Sequence, residues 1–370
     1  MGFGVGSSAD QAGWWGSVSV FSKGAMIGNE TTTFRPQHLG SGPKMIDGRI
    51  RGTPVSQASP RYVASAVQAT PVFLNQEATL EKACRLIGEA AALDARLVVF
   101  PEAFVAGYPY WLWGDRPAAV PGLEQQAFAS LWREAVDVPG PATERLGEAA
   151  RAADACVVVG VNERESSYGR GTLYNTLLTF GPDGGLLGRH RKLVPTYKER
   201  TVWGAGDGST LTVHDTPLGR IGGLICWENY MPLARYHQYA QGMQVHVAAT
   251  VDDSPSWQHF VRTIATEGRV YVVAVCQRFA RSQFPEEPFL GGFAPEADVL
   301  SGGGSLIVAP GGEVLAGPLE GGEGILTAEI DLARVIEEKH SLDVTGHYAR
   351  PDVFHLTVDE APAVPFYRQG

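Results

Sequence analysis

From residue 61 onward, apolar runs of strand length alternate with stretches whose apolar residues recur at three- and four-residue spacing. Residues 62–68 read as a strand, after which Leu80, Ala83, Cys84, Ile87 and Ala91 share one face of a helix and predict a buried stripe. Residues 96–100 form a continuous apolar strand, and a helix starting near Thr143 leads into 156–161, whose unbroken apolar character predicts burial on both faces. Strands 173–180 and 186–189 flank Gly181-Pro182-Asp183-Gly184-Gly185, a hairpin turn. There follow a strand at 221–225, a helix at 231–241, a strand at 245–249, a helix at 257–268 and a strand at 270–276. A last hairpin joins 305–309 to 314–316 through Pro310-Gly311-Gly312. Residues 210–213 also read as a strand. Two halves thus repeat strand, helix, strand, which predicts an α/β fold with a sheet-on-sheet core and helices outside it. No break in composition separates the halves, so one domain is expected over 61–358, followed by a tail over 359–370.

Composition narrows the class of protein. The 370 residues are 44% hydrophobic and 19% charged, with a mean hydropathy of -0.07, as expected of a soluble globular chain with a large interior. The longest apolar run, 270–276, is far short of the ~20 residues that cross a bilayer. A net charge of -10 without any Lys/Arg-rich run argues against nucleic acid and anionic membrane as partners. Four cysteines, Cys84, Cys156, Cys226 and Cys276, lie far apart in apolar sequence, which suits a reducing cytoplasm. Cys156, Cys276 and Cys84 read as packing residues. The nine histidines make no HxH or HxxxH pair near thiols or carboxylates, so no metal site is expected. Residues 1–60 differ from the rest: 11 glycines and four prolines with no apolar period predict a disordered extension.

Three strands end at polar groups, and α/β folds place ligands beyond the carboxyl ends of strands. Glu102 follows Leu97-Val98-Val99-Phe100-Pro101, Lys192 lies in His190-Arg191-Lys192-Leu193-Val194-Pro195-Thr196, and Cys226 ends Gly222-Gly223-Leu224-Ile225 before Trp227-Glu228-Asn229. Taken singly, Glu102 reads as a solvated loop residue, Lys192 as part of a surface charge cluster, and a buried cysteine as inert. A cysteine that opens a helix, however, tends toward a lowered pKa.

Taken together, the segments Phe100-Pro101-Glu102-Ala103-Phe104-Val105-Ala106-Gly107-Tyr108-Pro109, His190-Arg191-Lys192-Leu193-Val194-Pro195-Thr196 with Glu199-Arg200, and Cys226-Trp227-Glu228-Asn229-Tyr230-Met231-Pro232-Leu233 closely resemble the signature segments of the nitrilase family, in that family's chain order. The resemblance continues through Gly303-Gly304-Ser305-Leu306-Ile307, Gly317-Pro318 and the stretch from Asp343 to Asp352, and covers about 61–358. The first 60 residues match nothing in it, and Ala106 stands where members often carry proline. The resemblance implies an αββα sandwich in which Cys226, Glu102 and Lys192 meet, in a subunit that associates through its helices into dimers and larger spirals. It also implies a small-molecule nitrile as substrate and no cofactor.

The chemistry of these side chains fits that reaction. A nitrile carbon is a modest electrophile, and thiolate is the strongest nucleophile that side chains offer, which is the part of Cys226. Glu102, in a dry pocket, would take the thiol proton and return it to the departing nitrogen. Lys192 would stabilise the charge that attack places on nitrogen, and Glu199 matches the family's second glutamate beside that lysine. Glu228 and Asn229 are expected to pin the loop. Trp227 is expected to contribute a pocket wall and a backbone N–H, with Tyr108, Trp111 and Trp203 as further aromatic walls. An amidase or carbamoyl hydrolase would use the same three groups. A Cys-His-Asn hydrolase, with His214, His237 or His259 as base, would leave the lysine segment unexplained.

Overall fold

The computed structural model describes residues 59–113, 122–285 and 297–365. The extension expected over 1–60 falls outside them except for Ser59 and Pro60; the carbonyl of Pro60 accepts the Leu332 backbone N–H at 3.2 Å. The strands are β1 (Arg61–Gln68), β2 (Ala95–Val99), β3 (Cys156–Arg164), β4 (Leu173–Phe180), β5 (Leu186–Arg191), β6 (His214–Thr216), β7 (Gly219–Ile225), β8 (Val245–Thr250), β9 (Tyr271–Cys276), β10 (Arg278–Ala280), β11 (Val299–Val308), β12 (Val314–Glu320) and β13 (Gly324–Asp331). The helices are α1 (Gln76–Ala91), α2 (Leu123–Arg133), α3 (Pro141–Ala153), α4 (Pro232–Ala240), α5 (Pro255–Gly268) and α6 (Ala333–Lys339).

One sheet has the order β13-β1-β2-β3-β4-β5, with β1, β2 and β3 parallel and the rest antiparallel. The other runs β10-β11-β9-β8-β7-β6, with β7, β8 and β9 parallel and β12 paired to β11. Side chains alternate faces along a strand, and this period of two builds the layers. Leu97 and Val99 of β2 point inward with Val158 and Leu177, and meet Ile221, Val247 and Val273 of the second sheet in one buried cluster. The intervening Val98 points out, with Val157 and Val159, onto Leu80, Ala83 and Ile87 of α1 and Leu146 and Ala150 of α3. On the far side Ala248, Val272 and Ala274 cover Tyr239 of α4 and Trp257, Val261 and Ile264 of α5. The result is the αββα sandwich.

Local signals fix where these elements begin. Asn75 caps α1 by accepting the Ala78 N–H, and Ser254 caps α5 ahead of Pro255, whose missing N–H costs nothing at a first helical position. Three expectations need correction. Residues 208–210 form a 3-10 turn rather than the start of a strand, because Asp207 accepts the Ser209 N–H, and β6 begins only at His214. Cys84 is half-buried, its sulfur near the Arg145 carbonyl, so it lies at the edge of the helical stripe and not in the core. Cys226 does not open directly into a helix: the helix expected at 231–241 is present as α4, and a separate 3-10 turn at Cys226–Tyr230 precedes it. β13 and α2 have no counterpart in the sequence reading: β13 is an edge strand whose half-exposed positions give no continuous apolar run.

One close approach sets the position of the glutamate segment. Gly160 on β3 donates its N–H to the Pro101 carbonyl and accepts from Val105 N–H. A Cβ at Gly160 would lie 2.3 Å from that carbonyl oxygen and 2.6 Å from the Glu102 Cα, so only glycine lets the loop rest on the strand. Gly160→Ala is therefore expected to lower stability by about 1–3 kcal/mol through overpacking and to displace Glu102. Urea unfolding together with turnover on the same preparation checks it; an unchanged midpoint and rate would show that the loop yields freely.

Candidate active site

Four strand ends converge. Glu102 follows β2 and Pro101, Lys192 follows β5 directly, Cys226 follows β7 directly, and Thr250 ends β8. Glu102, Lys192, Glu199, Cys226 and Thr250 are all buried. The carboxylate of Glu102 accepts the Val251 backbone N–H on Oε1 at 2.9 Å and the Asn175 amide on Oε2 at 2.8 Å. Lys192 Nζ lies 3.6 Å from Glu102 Oε2 but 2.7 Å from Glu199 Oε2, so its direct ion pair is with Glu199. Glu199 also accepts the Thr196 N–H at 2.7 Å and the Tyr108 hydroxyl at 2.8 Å, and the Trp113 indole N–H donates to that hydroxyl. Asn175 joins two of the groups: its amide serves Glu102 and its backbone carbonyl accepts the Lys192 N–H.

Two carboxylates and one ammonium in a dry site cannot all keep their solution chemistry. Burial pushes the Glu102 carboxyl up to about 7; the Lys192 ammonium opposes the rise and the charge of Glu199 adds to it. Burial works against the charged form of Lys192 as well, but the carboxylates of Glu102 and Glu199 outweigh it and hold the ammonium above its ordinary range. The thiol of Cys226 is pushed well above its ordinary value by burial and then by Glu102, with Lys192 pulling down. The lowered thiol pKa expected from a helix start is thus not found. Cys226 opens a five-residue 3-10 turn, and burial wins. Its backbone is left-handed, with φ 52°, a conformation that a non-glycine residue holds only when its surroundings fix it.

Those surroundings are Glu228 and Asn229. Glu228 accepts the Leu193 N–H at 2.7 Å and the Ile225 N–H at 2.9 Å, and pairs with His190 Nε2 at 2.9 Å, so one buried carboxylate ties the cysteine turn to the lysine segment. Burial opposes its charge, but His190 and the backbone donors hold the carboxyl below its ordinary range. The Asn229 amide donates to the carbonyls of Leu224 and Cys226, and its oxygen meets His246 Nε2 at 2.6 Å. Burial, with Arg235 adding to it, pushes His246 down to about 3, so this ring is neutral and donates from Nε2.

Above the cysteine opens a cavity of about 620 Å³, walled by Tyr110, Trp113, Tyr197, Trp227, Val299 and Leu300 among others. Tyr108 and Trp227 line it; Tyr108 spends its hydroxyl on Glu199, and Trp227 is 53% exposed, its indole N–H bonded to Asp252. Trp111 and Trp203 lie behind the wall: Trp111 packs on Phe73, and Trp203 donates to Asn162 and stacks edge-on against Tyr108. Ala106 has φ 74°, which the ring of a proline cannot reach, so this loop takes its own course between Glu102 and Tyr108. The sequence reading missed Asn175, Thr250 and the Val251 N–H. Asn175 did carry a signal, a lone amide inside the apolar run 173–180. His214, His237 and His259 are not among the residues lining the cavity that holds Cys226.

Residues 63–339 match the family model described as carbon-nitrogen hydrolase, and the chain belongs to that family. It is 46% identical over 305 residues to a nitrilase of Bradyrhizobium diazoefficiens, covering 81% of this chain and 93% of that protein. It is 48% identical over 305 residues to an aliphatic nitrilase of Sinorhizobium fredii, covering 82% and 97%. A bifunctional nitrilase/nitrile hydratase of Nicotiana tabacum is 43% identical over 320 residues, covering 84% and 89%. Among solved structures, a carbon-nitrogen hydrolase from Helicobacter pylori G27 superposes with a TM-score of 0.63 at 20% identity, covering 80% of this chain and 97% of that one, which establishes the shared fold.

The buried clasp is open to a direct test. Glu228→Ala would leave His190 and two backbone N–H groups without their acceptor, and is expected to cost about 3–5 kcal/mol. Denaturant unfolding measures it; a loss under about 1 kcal/mol would mean that water replaces the carboxylate.

Proposed function

We propose that the protein hydrolyses an organic nitrile to the carboxylic acid and ammonia through a covalent bond to Cys226. The observation that carries this reading is that Cys226 and Glu199 line one largely apolar cavity with Lys192 and Glu102 grouped against Glu199 behind it, in a chain 46% and 48% identical to two proteins named as nitrilases. Because the resting sulfur is a buried thiol, its proton leaves as attack occurs, and Glu102 receives it. Sulfur bonds to the nitrile carbon, one C–N π pair moves to nitrogen, and Lys192 stabilises that charge until nitrogen is protonated to give the thioimidate. Water adds to form a tetrahedral carbon bearing OH, NH₂ and sulfur. Glu102 takes the proton of that hydroxyl and delivers it to the nitrogen, the C–N bond breaks, ammonia leaves, and a thioester remains. A second water, deprotonated by Glu102, releases the acid and returns the proton to sulfur. Glu199 holds Lys192 in place throughout. Two waters and one nitrile give one acid and one ammonia.

The aromatic walls, with no lysine or arginine among the described lining residues, suit a neutral nitrile with an aryl or other bulky apolar group. A homo-oligomer built from dimers fits the apolar face where Leu233 of α4 is 66% exposed and Tyr230 stacks on Phe260 of α5. The four cysteines are free thiols, which fits a cytoplasmic setting.

Ammonia release from a panel of neutral aryl, neutral aliphatic and carboxylated nitriles, each alongside its amide, is expected to be fastest on a neutral aryl-bearing nitrile. Cys226→Ala is expected to lower turnover on the order of 10⁴-fold or more. Faster hydrolysis of amides than of every nitrile would place the protein with the amidases, using the same groups. The pH profile gives an independent reading. Only the ionised form of Glu102 accepts the thiol proton, so kcat/KM should rise about tenfold per pH unit up to about 7 and level off above it. A flat profile from pH 5 to 7 would remove Glu102 as the base.

A further inference from the structure

Thr250 has no part in the scheme above, yet it touches the reacting atom. It is the last residue of β8, fully buried, and its hydroxyl oxygen lies 3.2 Å from Cys226 Sγ. The same oxygen accepts the Asp252 backbone N–H at 2.9 Å. A threonine hydroxyl carries a single proton, and its β-branched side chain has little rotamer freedom. With the Asp252 N–H on one lone pair, the geometry directs the proton at sulfur. Asp252 is anchored in turn: one carboxylate oxygen accepts the Ser254 N–H at 2.9 Å and the other the Trp227 indole N–H at 2.8 Å. A chain of hydrogen bonds therefore runs from the indole at the cavity wall to the nucleophile.

We propose that Thr250 is a further catalytic residue, whose hydroxyl donates to the Cys226 sulfur, stabilises it as thiolate both in attack and in departure, and so sets how much amide the enzyme releases. This rests on Cys226 being the nucleophile. The charged groups facing Cys226 are Glu102 and Glu199, which oppose the thiolate, and Lys192, which favours it; the Thr250 hydroxyl adds a favourable contact without adding charge. At the tetrahedral carbon two exits compete. If the C–N bond breaks, its electron pair leaves with nitrogen while Glu102 passes the hydroxyl proton to it, and ammonia and the thioester result. If the C–S bond breaks, its pair goes to sulfur while the carbon's hydroxyl loses its proton, and an amide leaves from the regenerated cysteine. A donor already aimed at sulfur lowers the barrier to the second exit as well as to the initial attack.

The test uses the full chain with Thr250→Val, which keeps the shape and deletes the proton, and Thr250→Ser, which keeps it. The rate of Cys226 alkylation by iodoacetamide, followed by mass spectrometry across pH, needs no nitrile. Thr250→Val is expected to move its midpoint up by about one pH unit, lower kcat about tenfold and reduce the amide share of product several-fold. Thr250→Ser should stay within about threefold of the parent on all three measures. A folded Thr250→Val with an unmoved midpoint, or with more amide than the parent, overturns the proposal. Should Thr250→Val fail to fold, Thr250→Ala is read against Thr250→Ser by the same midpoint. If no nitrile is consumed, the proposed reaction falls, while the alkylation midpoint still decides whether Thr250 serves the sulfur.

Discussion

The structure is organised around the cost of keeping Glu102, Lys192 and Glu199 ionisable in a place without water. Each would be expelled or neutralised if its partners were removed. The solution is to surround every charge with donors or acceptors drawn from several elements: Asn175 from β4 and the N–H that follows β8 for Glu102, Thr196 at the head of its own 3-10 turn and Tyr108 for Glu199, and both carboxylates for Lys192. Because those partners come from both sheets, the sandwich and the site are one construction. The sheets must meet at a fixed spacing, or the buried charges lose their compensation.

The same logic explains why the loop after Cys226 is so polar yet so buried. Glu228 and Asn229 spend their capacity on backbone groups of the turn and of the lysine segment, with His190 and His246 behind them. That network holds a left-handed cysteine whose own preference lies elsewhere. Burial alone leaves the Cys226 sulfur a reluctant acid, and in the proposed reaction its neighbours would receive its proton and steady its charge.

Much of this was legible in the sequence, for identifiable reasons. A fully buried strand such as β9 announces itself as an unbroken apolar run, and the α1 stripe by its helical period. Glu102 and Cys226 each follow an apolar run, whereas Lys192 follows the charged, half-exposed β5 and came forward only through the likeness of its segment to the nitrilase family. Hidden from that reading were edge strands such as β13, whose half-exposed faces blur the period, and the protonation behaviour of Cys226, which depends on how deeply the fold buries it. Thr250 was invisible for a different reason: at the end of an apolar strand it resembles a β-branched packing residue, and only the pairing of β7 with β8 sets it beside the sulfur.

The placement of β13 has a consequence for how the chain is made. It pairs antiparallel with β1 over eight residues, from Arg61 opposite Asp331 to Gln68 opposite Gly324. During synthesis β1 emerges early, and its outer edge stays open until residues 324–331 leave the ribosome. An uncovered strand edge is a template for unwanted pairing, and a contact this distant in sequence closes slowly. The nascent protein therefore carries a sticky seam through most of its translation, and a chain cut short before residue 324 would keep it permanently.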